Sequence, residues 1–226
     1  MSLRISRSFS ILLGVAALGF AMSSSTSFAK KDKGGDAAES AEAVVEALVI
    51  EDTGIEGIDK VFAPAKQMIT NLTTAQTGLK AFNDGLTTAM GLPAGTPIAD
   101  AVAELKKAAP GMLKVTMDGM KPKVEVKPEA PENVKKAVES INAGGEGIVA
   151  TITAVKDMPE QIKATIDAAK GLPAAIPSMG IKATQIPKAL KTVGKNAGTV
   201  GKIPGEAKKT SDAAMMSIDA IKTLGG

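Results

Sequence analysis

From Val134 to Ile221 apolar residues recur three and four positions apart, and the chain's organisation follows from that stripe. In one register it runs Val134, Ala137, Ile141, Gly144, Ile148, Thr151, Val155, Met158, Ile162, Thr165, Ala169, Leu172, Ile176, Met179, Ala183, Ile186 and Leu190. It continues through Val193, Ala197, Val200, Pro204, Ala207, Ser211, Ala214, Ile218 and Ile221. Of these 26 positions 21 are Ala, Val, Ile, Leu or Met, and a 3/4 alternation places side chains along one side of an α-helix. Ile162, Leu172, Ile176, Ile186, Leu190, Val193, Ile218 and Ile221 are its bulky members and the candidate interaction seam.

Prolines interrupt the stripe. Pro159, Pro173 and Pro187 stand fourteen residues apart, and Pro177 and Pro204 lie between and beyond them. An interior proline removes a backbone hydrogen bond and clashes with the preceding turn, at about 3 kcal/mol. Met158 to Gly171 shows how a helix avoids that, with Pro159 at a first helical position, Glu160 in the first turn and Gly171 just past the end. The expectation is therefore helices of about 10 to 20 residues joined by tight Pro/Gly turns or kinks.

A second stripe, Ile58, Phe62, Ala65, Ile69, Leu72, Ala75, Leu79, Phe82, Leu86 and Ala89, predicts another helix, with Pro64 as its start or a kink. Gly91 to Pro97 reads as a loop, with Thr96 and Pro97 as cap and first position of a helix over Ile98 to Ala109. Between Leu113 and Val126 the period changes to two. Leu113, Val115 and Met117 alternate with polar residues, Asp118-Gly119 is a turn signal, and Val124 and Val126 alternate again. A small β-hairpin and an irregular loop are equally compatible with this, because Pro122 and Pro128 weaken a strand. The fold expected is all-α: an elongated bundle or kinked rod of amphipathic helices with Pro/Gly breaks and a possible hairpin near 113–126.

The first 29 residues stand apart. Arg4 and Arg7 precede an apolar core from Ile11 to Met22, and Ser27-Phe28-Ala29 fits a small-x-small cleavage rule, so the expectation is a secretory signal peptide cleaved near Ala29, giving a periplasmic or secreted chain. Residues 30–40 read as a polar tether, 41–110 as a helical segment, 111–131 as loop or hairpin, and 132–226 as the long Pro-punctuated segment. From Asp36 to Asp59 there are eight acidic residues and no lysine around Val44, Val45, Leu48, Val49 and Ile50, which predicts an acidic amphipathic helix ending before Thr53-Gly54.

Composition narrows the chemistry. Without the leader the chain carries 25 lysines against 24 acidic residues, a net charge of +1, and Phe62 and Phe82 are its only aromatics. Base stacking and bidentate Arg readout are then nearly absent, which argues against nucleic acid. With no His and no Cys there is no Ser/His triad, thiolate or ordinary zinc site, and neither an enzyme nor a cofactor is expected. Gly144-Gly145-Glu146-Gly147 lacks the ending of a phosphate loop and follows a helical pattern, so a hinge or close helix contact is the better reading. Glu51, Asp52, Glu56 and Asp59 do not match a calcium loop and read as a solvated acidic face.

Charge also separates the partners. From Ala168 to Gly205 there is no acidic residue, while Lys182, Lys188, Lys191, Lys195 and Lys202 accumulate beside the stripe. Such a helix suits an anionic membrane surface. The acidic segment near 36–59 is an internal counter-charge that would serve as well, and it is favoured because interfacial aromatics are missing. The expected function is an exported, non-enzymatic structural or interaction protein, working through its seam on another protein or a second copy. The alternative is a membrane-surface or pore-forming helical protein using residues 168–205.

Overall fold

The computed structural model describes residues 48–225. The expected signal peptide, the tether and the first part of the acidic helix lie outside the described residues. Among the described residues the fold is all-α, with five α-helices and one small antiparallel hairpin.

Three long rods form the body. Helix α1 spans Glu56–Met90, α3 (Glu132–Lys156) leads into α4 (Met158–Ala175), and α5 spans Ile186–Lys222. At a rise of 1.5 Å per residue α1 and α5 are each roughly 50 to 55 Å long. The start of α1 packs with α4 and the start of α5, and its end packs with α3 and the end of α5. Rods α1 and α5 therefore run one way and α3–α4 the other.

The expectation of helices no longer than about 20 residues is corrected, because Pro64 and Pro204 lie inside α1 and α5 without ending them. Both rings are exposed, so neither is forced into the helix packing, and a proline placed there bends a helix without ending it. Nor does Gly171 end its helix: α4 continues to Ala175, and the chain reverses through 3-10 turns at Ile176–Ser178 and Ala183–Gln185. Pro159 and Pro187 do stand in the first turns of α4 and α5, as their missing N–H groups favour.

At the other end α1 stops at Gly91, whose φ of 67° lets its N–H reach Thr88 and the N–H of Leu92 reach Thr87, a Schellman closure. Helix α2, Ile98–Ala108, follows. The Thr96 side chain does not cap it, donating instead to the Pro93 carbonyl at 2.7 Å. Strands β1 (Leu113–Asp118) and β2 (Lys121–Val126) then pair antiparallel around Gly119-Met120. Gly119 has φ 59°, which suits the first position of a two-residue hairpin turn.

Pro122 does not break this hairpin. Asn142 on α3 accepts from the Val124 N–H and donates to the Val124 carbonyl, both at 2.8 Å. Val124 therefore turns its backbone groups away from β1, and Pro122, two residues earlier, lies on the same outward phase, where the ladder needs no N–H.

The core forms two clusters that share no residue. Phe82, Leu86, Leu105, Val134, Ile141 and Ile221 belong to one, beneath α2 and the hairpin. Phe62, Met68, Leu72, Ile162, Leu172, Ile176 and Ile203 belong to the other, with Ile50 from the segment before α1. Each cluster holds one of the two aromatics among the described residues. Between them α1 presents Thr73-Thr74-Ala75-Gln76-Thr77-Gly78, and the Gln76 amide donates to Thr210 of α5 at 2.9 Å.

Candidate interaction surface

The stripe read from sequence is largely internal: 17 of its 26 positions are buried. Ile162, Leu172, Ile176 and Val193 sit in the Phe62 cluster with Ile186 half-buried against it, and Ile218 and Ile221 sit in the Phe82 cluster. Leu190 is different. It is 38% exposed while its neighbour Ala189 is 3% exposed, so within this chain the inward position is Ala189.

On α5 the buried residues Ala189, Val193, Asn196, Val200, Ile203, Ala207, Thr210, Ala214, Ser217 and Ile221 form one line, with Ile218 buried beside it. The spacings alternate four and three, a heptad seam maintained over 33 residues. Its outward side carries lysine and glycine. Lys188, Lys195, Lys202 and Lys209 stand seven residues apart, Lys191 and Lys208 flank them, and Gly194, Gly198, Gly201 and Gly205 lie between at spacings of four, three and four. All ten are exposed. Lys182 is also exposed but belongs to the reversing link, where its N–H meets the Gln185 carboxamide oxygen at 3.2 Å.

Packing does not require these four glycines, since a Cβ at any of them would meet nothing within 4 Å. An exposed glycine inside a helix is less stable than alanine by roughly 0.5 to 1 kcal/mol, so the row forgoes about 2 to 4 kcal/mol of helix stability. Sequence reasoning found the lysines and missed the glycines, although their 4-3-4 spacing was the available signal.

The segment before α1 shows what the row holds. Residues 48–52 are not helical, which corrects the part of the expected acidic helix that falls here. The fully buried Asn196 accepts from the Glu51 N–H and donates to the Glu51 carbonyl, both at 2.9 Å, so the backbone at Glu51 is fixed to α5. Lys195 pairs with the Glu51 carboxylate in the same place.

The other acidic residues are engaged separately. Asp52 pairs with Lys66, and Glu56 with Lys60 at 2.6 Å. The Asp59 carboxylate accepts from the Thr53 N–H at 2.8 Å, the Thr53 hydroxyl at 2.7 Å and the Gly54 N–H at 3.1 Å. Burial pushes the Asp59 carboxyl upward, but those three donors, with Lys66 nearby, outweigh it and hold its pKa below the ordinary value. Among the described residues no group of three or more Asp or Glu side chains is placed to hold a metal ion. Nor is any of their helices long and apolar enough to cross a membrane.

The glycine run on α3 makes close contacts. A Cβ on Gly144 would stand 2.3 Å from the Phe82 ring, and one on Gly145 would stand 3.3 Å from the Pro122 carbonyl. Glu146 pairs with Lys121 of β2, whose donated hydrogen bond lowers the Glu146 pKa. No family model, curated protein or solved structure matches this chain, so the case for its function rests on the lysine-glycine row of α5 and the Glu51 carboxylate that Lys195 of that row already pairs with.

Proposed function

We propose that this is an exported, non-enzymatic helical interaction protein whose working surface is the outward row of α5, and whose partner is an acidic segment of another protein. The apolar seam serves the inside of the bundle, leaving the lysine-glycine row as the contact surface. The observation that carries this reading is that ten of the twelve exposed positions from Lys188 to Lys209 are lysine or glycine, Leu190 and Pro204 being the others, with the glycines held at a stability cost that packing does not explain. Glycines let a partner backbone approach the helix closely, and lysines on either side select carboxylates.

The test uses a Glu/Ala-rich helical peptide in fluorescence anisotropy. Binding should weaken as salt rises, because exposed charges are screened over about 10 Å at 0.1 M. Replacing Lys188, Lys191, Lys195 and Lys202 with Gln should abolish it. Gly198→Ala with Gly201→Ala should weaken the peptide complex while raising the melting temperature of the free chain, a pair of opposite signs that a purely structural role would not give. A protein that ignores the peptide and floats with anionic vesicles would overturn this reading in favour of a membrane surface.

A further inference from the structure

We infer that the outer edge of β1 is a self-association edge, on which β1 of a second copy pairs antiparallel to give a dimer with Thr116 on its two-fold axis. This surface is separate from the α5 row and goes beyond the function proposed for that row.

The ladder leaves the edge unpaired. Asn142 takes both backbone groups of Val124, so Val124 and Val115 opposite it form a pair that exchanges no hydrogen bonds. The alternation of an antiparallel ladder then points the N–H and C=O groups of Val115 and Met117 away from β2. The Lys127 N–H, which reaches the Met112 carbonyl at 3.0 Å, keeps the same phase. Where β2 has α3 along its outer side, the outward groups of Val115 and Met117 bond to nothing among the described residues. Gly225 of the closing 3-10 turn (Thr223–Gly225) lies against the Val115 side chain and gives the strand no hydrogen bond. Exposed edges are commonly blunted by a proline or a bulge, but β1 is paired in unbroken register over six residues without either.

The side chains select the partner and the register. On its outer face β1 carries Lys114, Thr116 and Asp118. The Asp118 carboxylate has no partner among the described residues, while Lys121 opposite it pairs with Glu146. Lys114 shares the Glu125 carboxylate with Lys123, at 3.9 and 3.8 Å. Placing Thr116 opposite Thr116 of a second copy sets Lys114 opposite Asp118, twice by symmetry. The same register sets Val115 opposite Met117, the two residues whose backbone groups point outward, so phase and charge agree. It also covers the Met117 side chain, which is 38% exposed although it shares the inner face of the hairpin with the buried Val124. Moving the axis to Val115 would set Lys114 against Thr116 and Asp118 against Met112, and no charge would be matched.

The test uses the full chain, which has no cysteine. Opposite residues in a pair without hydrogen bonds have Cα atoms about 4.5 Å apart, within the range a disulfide spans. Thr116→Cys should therefore cross-link two chains under mild oxidation. Lys123→Cys, on the same face of β2, would stand three strand spacings from its counterpart, about 14 Å, and should not. In sedimentation velocity the wild type should shift from one chain to two as concentration rises. Asp118→Lys, which faces Lys114 of the second copy with a like charge, should lose that shift, and adding Lys114→Asp should restore it, which distinguishes lost pairing from a damaged hairpin. Equal cross-linking at 116 and 123, a single chain at every concentration, or Asp118→Lys dimerising like the wild type would overturn the inference. So would loss of the dimer on replacing Lys188, Lys191 and Lys195 with Gln, because association would then run through α5. Failure of the acidic peptide to bind leaves the β1 edge untouched, so the two readings fall separately.

Discussion

Phe82 of α1 lies against the bare backbone of Gly144 on α3, with its Cδ2 2.3 Å from where a Cβ on that residue would stand. A real Cβ does not approach that closely, so the ring and the glycine specify each other. Gly144→Ala should force Phe82 off its rotamer or push the helices apart, destabilising the chain by about 1 to 3 kcal/mol. Gly147, one turn away, would place a Cβ within 4 Å of nothing. Gly147→Ala should therefore stabilise by about 0.5 to 1 kcal/mol. Thermal melts of the two variants should move in opposite directions, and a parallel shift would show that Gly144 is not a packing position.

The register of α5 makes a second test. Ala189→Asp buries a charge against the Phe62 cluster without a partner and should cost several kcal/mol. Leu190→Asp changes a side chain that already meets solvent and should shift the melt by much less. Equal losses at the two positions would place both residues in the interface and contradict the seam described for α5.

The same helix shows what the sequence made legible. The apolar pattern places Val193, Val200, Ala207, Ala214 and Ile221 inward, and all five are buried. At the alternate positions the apolar pattern selects Leu190, Ala197, Pro204, Ser211 and Ile218, one residue beyond the inward Ala189, Asn196, Ile203, Thr210 and Ser217. Ile218 is buried as well, but the others are not. Hydrophobicity gave no means of choosing, because Asn196, Thr210 and Ser217 are polar residues whose groups are satisfied within the helix or by the Glu51 backbone. Helix length was hidden for a related reason, since a one-residue pattern does not say that Pro64 and Pro204 face outward. The lysine run was legible, but its observed partner Glu51 is presented by a non-helical segment whose backbone is held by the Asn196 carboxamide.

Two asparagines hold the two ends by the same geometry, and their replacement should separate those ends. Asn196→Ala removes both hydrogen bonds to Glu51 and should cost about 1 to 3 kcal/mol, speeding amide exchange from Glu51 through the start of α1. Asn142→Ala removes the matching pair to Val124 and should do the same to β2. Because the core clusters share no residue, each substitution should leave the other end protected at native-like levels. Exchange that rises uniformly along the chain in both variants would mean that the bundle opens only as a whole.

Asp59 gives the fold a pH dependence whose sign is fixed by its partners. Its carboxylate accepts hydrogen bonds from Thr53 and Gly54, and its pKa is held below the ordinary carboxylate value. A depressed folded pKa means that the unfolded chain takes up the proton first, near pH 4. The contribution is therefore complete above that value and is lost as pH falls through the folded one. The Thr53 and Gly54 amides should hold their chemical shifts down to about pH 4 and then move together, while exchange at Ile55 and Glu56 quickens. Asp59→Asn, which keeps one acceptor oxygen and cannot ionise, should remove that titration step. If the step survives in Asp59→Asn, another group controls the turn, and the carboxylate is not what fixes residues 53–54 to the first turn of α1.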